Sequence, residues 1–241
     1  MLVAAAVCPC PPLLVPEVAT GAAPELDAAR AACADALGLL AAARPDRLYV
    51  VGAGGGGVFP AGSTGSFDGF GVDLSVRLGE APAEGAPEGE AAAERPLPAG
   101  LAVGAWLLGR ADWADAPVEG LAVDERAAVG ELAAAGRGLA ASAERVALLV
   151  MGDGSACRTV KAPGYLDERA AGFDAEAARA LGTADVPALL ALDAELAYEL
   201  KAAGRAPWQV LAGAAEDAGL EGRLLHEDAP YGVEYIVAAW S

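Results

Sequence analysis

A strand, a crossover helix and a second strand are legible within the first 51 residues, and this βαβ unit constrains the fold more than anything else in the chain. Leu2–Val7 is an apolar run without a polar break, the pattern of a strand covered on both faces. From Pro24 onward, Leu26, Cys33, Leu37 and Leu40 recur at helical spacing as far as Ala43. Asp46 then precedes Arg47–Val51, a second strand of the same buried kind. Parallel strands need a crossover of this length, and such units build an α/β sheet with helices packed on it. Residues 9–16 between strand and helix are rich in Pro and read as a non-helical loop.

The rest of the chain continues the alternation. A helix is expected at Leu101–Leu108, a strand at Glu119–Val123, a helix capped by Asp124 and running to about Ser142, and a strand at Arg145–Met151. Helices follow at about 168–181, at 187–203 with a break near Asp193, and at 207–218 between Pro207 and Gly219. Two last strands, 222–227 and 232–239, are expected to pair through a turn at Asp228–Tyr231. Residues 79–98, rich in Glu, Ala, Pro and Gly, read as a flexible acidic excursion within one domain spanning 1–241.

Charge narrows the classes of partner. The chain has 34 acidic and 16 basic residues, a formal net charge of −18, and a field of that sign disfavours nucleic acid and anionic membrane surfaces. No apolar run reaches the roughly 20 residues that span a bilayer, and Leu2–Val7 is too short and lacks the basic flank of a secretion signal. A cytoplasmic protein is expected. Four cysteines in 241 residues do not make a disulfide framework and are expected as thiols.

Two loops can carry chemistry. Gly54–Gly57 follows a strand but continues into Val58-Phe59-Pro60 with no Lys and no helix start, so it matches neither a dinucleotide fingerprint nor a Walker loop. Gly54 and Gly55 are instead expected to allow close backbone approach or to form a flexible lip over a cleft. Gly152-Asp153-Gly154-Ser155-Ala156-Cys157 ends the 145–151 strand, where ligand crevices of parallel sheets open. Asp153, Ser155 and Cys157 are the catalytic candidates there, although Asp153 and Ser155 equally suit turn-ordering hydrogen bonds. Cys10 and Cys157, joined by Cys8 or Glu234, are the candidate ligands of a soft metal such as zinc or copper, or a redox pair; the alternative is that the thiols are small core residues. Arg158 and Lys161, with Tyr165 as an aromatic wall, are candidates for holding an anionic ligand, or else they pair with nearby Asp167, Glu168 or Asp174. His226, the sole histidine, reads as a turn residue at a strand end.

Taken in order, Ala6-Val7-Cys8-Pro9-Cys10-Pro11-Pro12-Leu13-Leu14-Val15-Pro16-Glu17, the strand at 48–52, Gly152-Asp153-Gly154-Ser155, Gly172-Phe173-Asp174 and Trp208–Ala214 resemble the subunit-B-type class III extradiol dioxygenases and their Memo-like relatives. The resemblance spans nearly the whole chain. It implies a single α/β domain with a mostly parallel or mixed sheet, and a non-haem iron(II) held by a His before a Pro-Pro pair, a His after the second strand and a late glutamate. A further His closing a Gly-Asp-x-Ser-His motif would serve as acid and base.

At each of those positions this chain differs. Cys10 stands before Pro11-Pro12, residues 53–57 offer only Ala and Gly, and Ala156 follows Ser155 where the acid–base His belongs. Glu234 is the acidic residue in a suitable place for the late ligand. An iron(II) site needs a facial set of N and O donors, and a chain with one histidine lacks the imidazoles for it. The expectation is therefore a non-catalytic relative with no resident cofactor, binding a small molecule or a protein partner in the inherited cleft, alone or in a homo- or hetero-oligomer. The competing expectation is an enzyme that uses a cysteine-based metal or thiolate site in the same cleft, or a divergent ring-cleaving dioxygenase.

Overall fold

The computed structural model describes residues 1–80 and 95–241, so the middle of the expected 79–98 excursion lies outside the described residues. The chain forms one α/β domain. Its elements in order are β1 (Leu2–Cys8), α1 (Pro16–Ala19), α2 (Asp27–Ala42), β2 (Arg47–Ala53), β3 (Gly57–Phe59), β4 (Thr64–Ser66), β5 (Ser75–Arg77), α3 (Ala99–Arg110), β6 (Val118–Val123), α4 (Val129–Ala141), β7 (Val146–Met151), α5 (Ala170–Gly182), α6 (Val186–Leu190), α7 (Ala194–Glu199), α8 (Arg205–Ala215), β8 (Gly222–Asp228) and β9 (Tyr235–Trp240).

Seven strands make one mixed sheet in the order β3-β6-β2-β7-β1-β9-β8, while β4 and β5 form a separate ribbon. β1, β2, β6 and β7 run parallel; β3, β8 and β9 are antiparallel to their neighbours. β7 lies between β1 and β2 and is buried along its whole length. Its alternation feeds two cores: Leu148 and Val150 pack with Trp208 and Leu211 of α8, whereas Ala147, Leu149 and Met151 pack with Leu37 of α2 and Leu101 of α3.

That division fixes where a ligand crevice can lie. After β1 the chain crosses one face of the sheet through α2, and after β7 it crosses the other through α5–α8. Neighbouring strands whose connections leave in opposite senses open a crevice beyond their carboxyl ends. Here that point falls between Cys8 and Met151, the paired last residues of β1 and β7.

Several boundaries differ from the sequence reading. The 9–16 segment is not free of helix: Pro12–Leu14 forms a 3-10 turn and Pro16 opens α1, because Pro fits a first helical position. Pro24 sits inside a 3-10 stretch, Thr20–Leu26, and α2 begins only at Asp27. Asp124 does not cap α4; its carboxylate accepts the Arg126 amide in a local turn, and the helix starts five residues later. Asp193 breaks the 187–203 segment by capping α7, its carboxylate accepting the Leu196 amide. Among the described residues no helix is long and apolar enough to cross a membrane.

Candidate functional site

The carboxyl ends of β1 and β7 are joined by direct bonds. The Gly152 amide donates to the Cys8 carbonyl at 3.0 Å, and the Cys10 amide donates to Asp153 Oδ1 at 2.8 Å. Cys10 also packs beside Gly100, at the start of α3, while Gly54 faces Pro98 just before that helix. Cys10 and Gly54 thus lie at the α3 N-terminus, and Asp153 is bonded to Cys10 beyond the ends of β1 and β7. Gly55 is exposed and has no neighbour where a side chain would stand.

The glycines of the 152–155 segment serve close packing. A Cβ on Gly152 would overlap the Gly204 backbone, and one on Gly154 would lie 2.7 Å from the Cβ of Glu234. The segment is stitched on both sides. Gly204 donates to the Asp153 carbonyl (2.8 Å), Gly154 to that of Glu234 (2.8 Å), and Glu234 to that of Ser155 (2.9 Å).

Behind this loop lies a buried charge cluster, of which the sequence offered the Arg158–Asp174 pair but not its joining to Ser155 and Glu234. Asp174 of α5 is fully buried and accepts from the Ser155 amide at 2.7 Å and from the Ser155 hydroxyl at 2.5 Å. Arg158 donates to Asp174 Oδ2 at 3.3 Å and to the Glu234 carboxylate. Two carboxylates therefore share one guanidinium. Burial and the Asp174 charge push the Glu234 carboxyl up to about 7 against the opposing pull of Arg158. Asp153, half-buried, is raised by desolvation to about 7 although the Cys10 amide stabilises its charged form.

These contacts reassign several candidates. Ser155 donates a hydrogen bond from its hydroxyl to Asp174 and is fully buried, so it is a positioned turn residue. Glu234 is held by Arg158 and precedes β9, which begins at Tyr235. Arg158 is occupied by Asp174 and Glu234, so the expected anion clamp is reduced to Lys161 and Tyr165, both exposed. His226 is half-buried on β8, opposite Val237 at the sheet's edge.

The two thiols do not converge. Cys10 packs against the half of the core formed by α2 and α3, whereas Cys157 is buried in the half formed by α5–α8, its Sγ 3.4 Å from the Leu200 carbonyl. Burial raises the thiol of each, Cys10 strongly and with Asp153 adding to it, which keeps them protonated and weak as nucleophiles or ligands. Among the described residues no three His, Cys, Asp or Glu side chains are grouped to hold a metal ion. Cys33 is buried in the core on α2, as its helical spacing indicated.

The residues at the positions where the resemblance would place iron ligands do not fit a ferrous site. Cys10 offers a protonated thiol, Gly54 and Gly55 no side chain, and Glu234 a carboxyl already engaged by Arg158. Asp153 is the ionisable side chain at the carboxyl end of β7, its Oδ1 accepting from the Cys10 amide. Asp174, missed as a site residue, did carry a signal: it is an acid on the apolar face of α5, between Phe173 and Ala177.

No family model matches the chain, and no curated protein matches it. Among solved structures it is similar to the crystal structure of uncharacterized protein JW3007 from Escherichia coli K12, at 18% sequence identity, with 99% of each chain covered and a TM-score of 0.57. That likeness extends over the whole α/β fold.

Proposed function

We propose that this protein is a non-catalytic relative of the extradiol dioxygenases, one that binds a small molecule in the crevice beyond β1 and β7. The observation that supports it is the joining of Cys10 to Asp153 at the switch point, with side chains unsuited to iron at the inherited ligand positions. What remains there is a recognition surface. Asp153 is half-buried and its carboxyl is raised by desolvation to about 7, so it can donate to a ligand oxygen as an acid or accept from a hydroxyl as a carboxylate. The α3 N-terminus beside Cys10 contributes amides without a side-chain cap, since Pro98 supplies none.

A polyhydroxylated aromatic is the ligand class that suits both features, and the family resemblance points the same way. Catechol and protocatechuate are expected to raise the melting temperature of the wild-type protein in the absence of added metal, and Asp153→Ala to abolish that rise. A wild-type protein indifferent to both compounds would overturn the ligand class. An equal rise in Asp153→Ala would move binding away from this crevice.

A further inference from the structure

β8 ends the seven-stranded sheet, and among the described residues no further strand pairs with its outer edge, while the end of α5 lies against Gly222 and Leu224. Apart from the ladder to β9, the backbone groups of residues 222–228 join no backbone hydrogen bond. The other edge strand, β3, is three residues long; β8 has seven. The direction of each β8 group can be counted along the ladder. Glu221 and Ser241 exchange both of their hydrogen bonds, so Gly222 and Leu224 direct N–H and C=O away from β9. One residue is inserted between Leu224 and His226. Past that bulge, Glu227 is the outward-directed residue.

The side chains follow the same count. Leu224 lies against Gly182 of α5, and Leu225 packs with Val237 and Ala239 on the α2 face. Opposed residues share a face, so Arg223 and Asp228 stand on the α2 side with Leu225, and Glu227 on the α5 side with Leu224. Arg223 and Asp228 are exposed and take part in none of the ion pairs among the described residues.

We propose that β8 pairs antiparallel with β8 of a second copy about a two-fold axis between Leu225 and His226, making one continuous sheet across a homodimer. This register brings the outward groups of Leu224 opposite those of Glu227 of the second copy, and it keeps every opposed pair on one face. It also sets Arg223 against Asp228 of the second copy, twice by symmetry. Shifting the register by one residue would oppose Arg223 to Glu227 instead, and those side chains lie on different faces. The strand is therefore complementary to itself in charge, facing and hydrogen bonding in a single register, which is what an isologous interface requires. The unpaired edge identifies a second copy as its occupant through that self-complementarity, independently of what the crevice binds.

Sedimentation equilibrium of the full chain tests this. The wild type is expected to be a dimer. Arg223→Glu is expected to weaken dimerisation about tenfold by placing like charges opposite each other twice. The double variant Arg223→Glu/Asp228→Lys is expected to recover it. A wild type that stays monomeric at its solubility limit overturns the proposal. So does a dimer unaffected by Arg223→Glu, or one weakened by it and not recovered in the double variant. Both positions are exposed, and circular dichroism of each variant confirms that the fold persists.

Discussion

Removing the Asp174 carboxylate would strand two buried donors, the Ser155 amide and the Ser155 hydroxyl, and take from Arg158 one of its two carboxylate partners. Asp174→Ala is expected to lower stability by about 3–5 kcal/mol, the usual effect of deleting one partner of a buried ion pair, as read by urea denaturation. A loss below about 1 kcal/mol, the scale of an exposed pair, would contradict the role assigned to it. Asp153 gives a test by pH. Its folded carboxyl is raised from the ordinary 3.8 to about 7, so the folded state holds a proton that the unfolded chain has released. Its contribution to stability is therefore greatest below pH 3.8 and declines as pH rises towards about 7. Asp153→Asn lacks that titration, so its stability relative to wild type should rise between pH 5 and pH 8; an unchanged difference across that range would refute the raised carboxyl. The sequence located Asp153 and Ser155 correctly as strand-end residues. It did not reveal that Arg158 reaches Glu234, because 76 residues separate them and only the packing of the β8–β9 turn on the 152–158 loop brings them together.

At the scale of elements, α4 and α8 make the closest helix contact on the α5–α8 side of the sheet. A Cβ on Gly136 would overlap the Val210 carbonyl, and one on Gly213 would overlap the backbone of Ala133. Gly138, on the outer face of α4, has open space instead. Gly136→Ala should therefore destabilise the protein by about 1–3 kcal/mol through overpacking. Gly138→Ala should stabilise it by up to about 1 kcal/mol through helix propensity. Thermal unfolding of the two variants reads both signs, and a stabilising Gly136→Ala would refute the close approach. The long helices and buried strands were legible from their periodicity. β3, β4 and β5 were not, because three-residue segments rich in Gly, Ser and Thr give no alternation to read. Helix starts were the weaker readings: Pro24 and Asp124 carry start signals, yet a 3-10 stretch and a local turn use them before α2 and α4 begin.

For the whole molecule, the βαβ unit and the buried run at 146–151 were sufficient to indicate an α/β sheet. Strand order was not in the sequence, since β7 inserts between β1 and β2 only because its two faces can be covered at once by α8 and by α2 with α3. The same insertion creates the switch point and sends Cys10 and Cys157 to different halves of the core. The proposed relationship to the extradiol dioxygenases requires a crevice beyond β1 and β7 whose side chains cannot hold iron. The most direct test is to incubate the purified protein anaerobically with ferrous ion, remove the excess, and measure bound iron and catechol-dependent oxygen uptake on the same sample. The account predicts iron well below one ion per chain and no oxygen consumption above the protein-free control. One tightly held iron per chain, with oxygen consumed as catechol disappears, would contradict it.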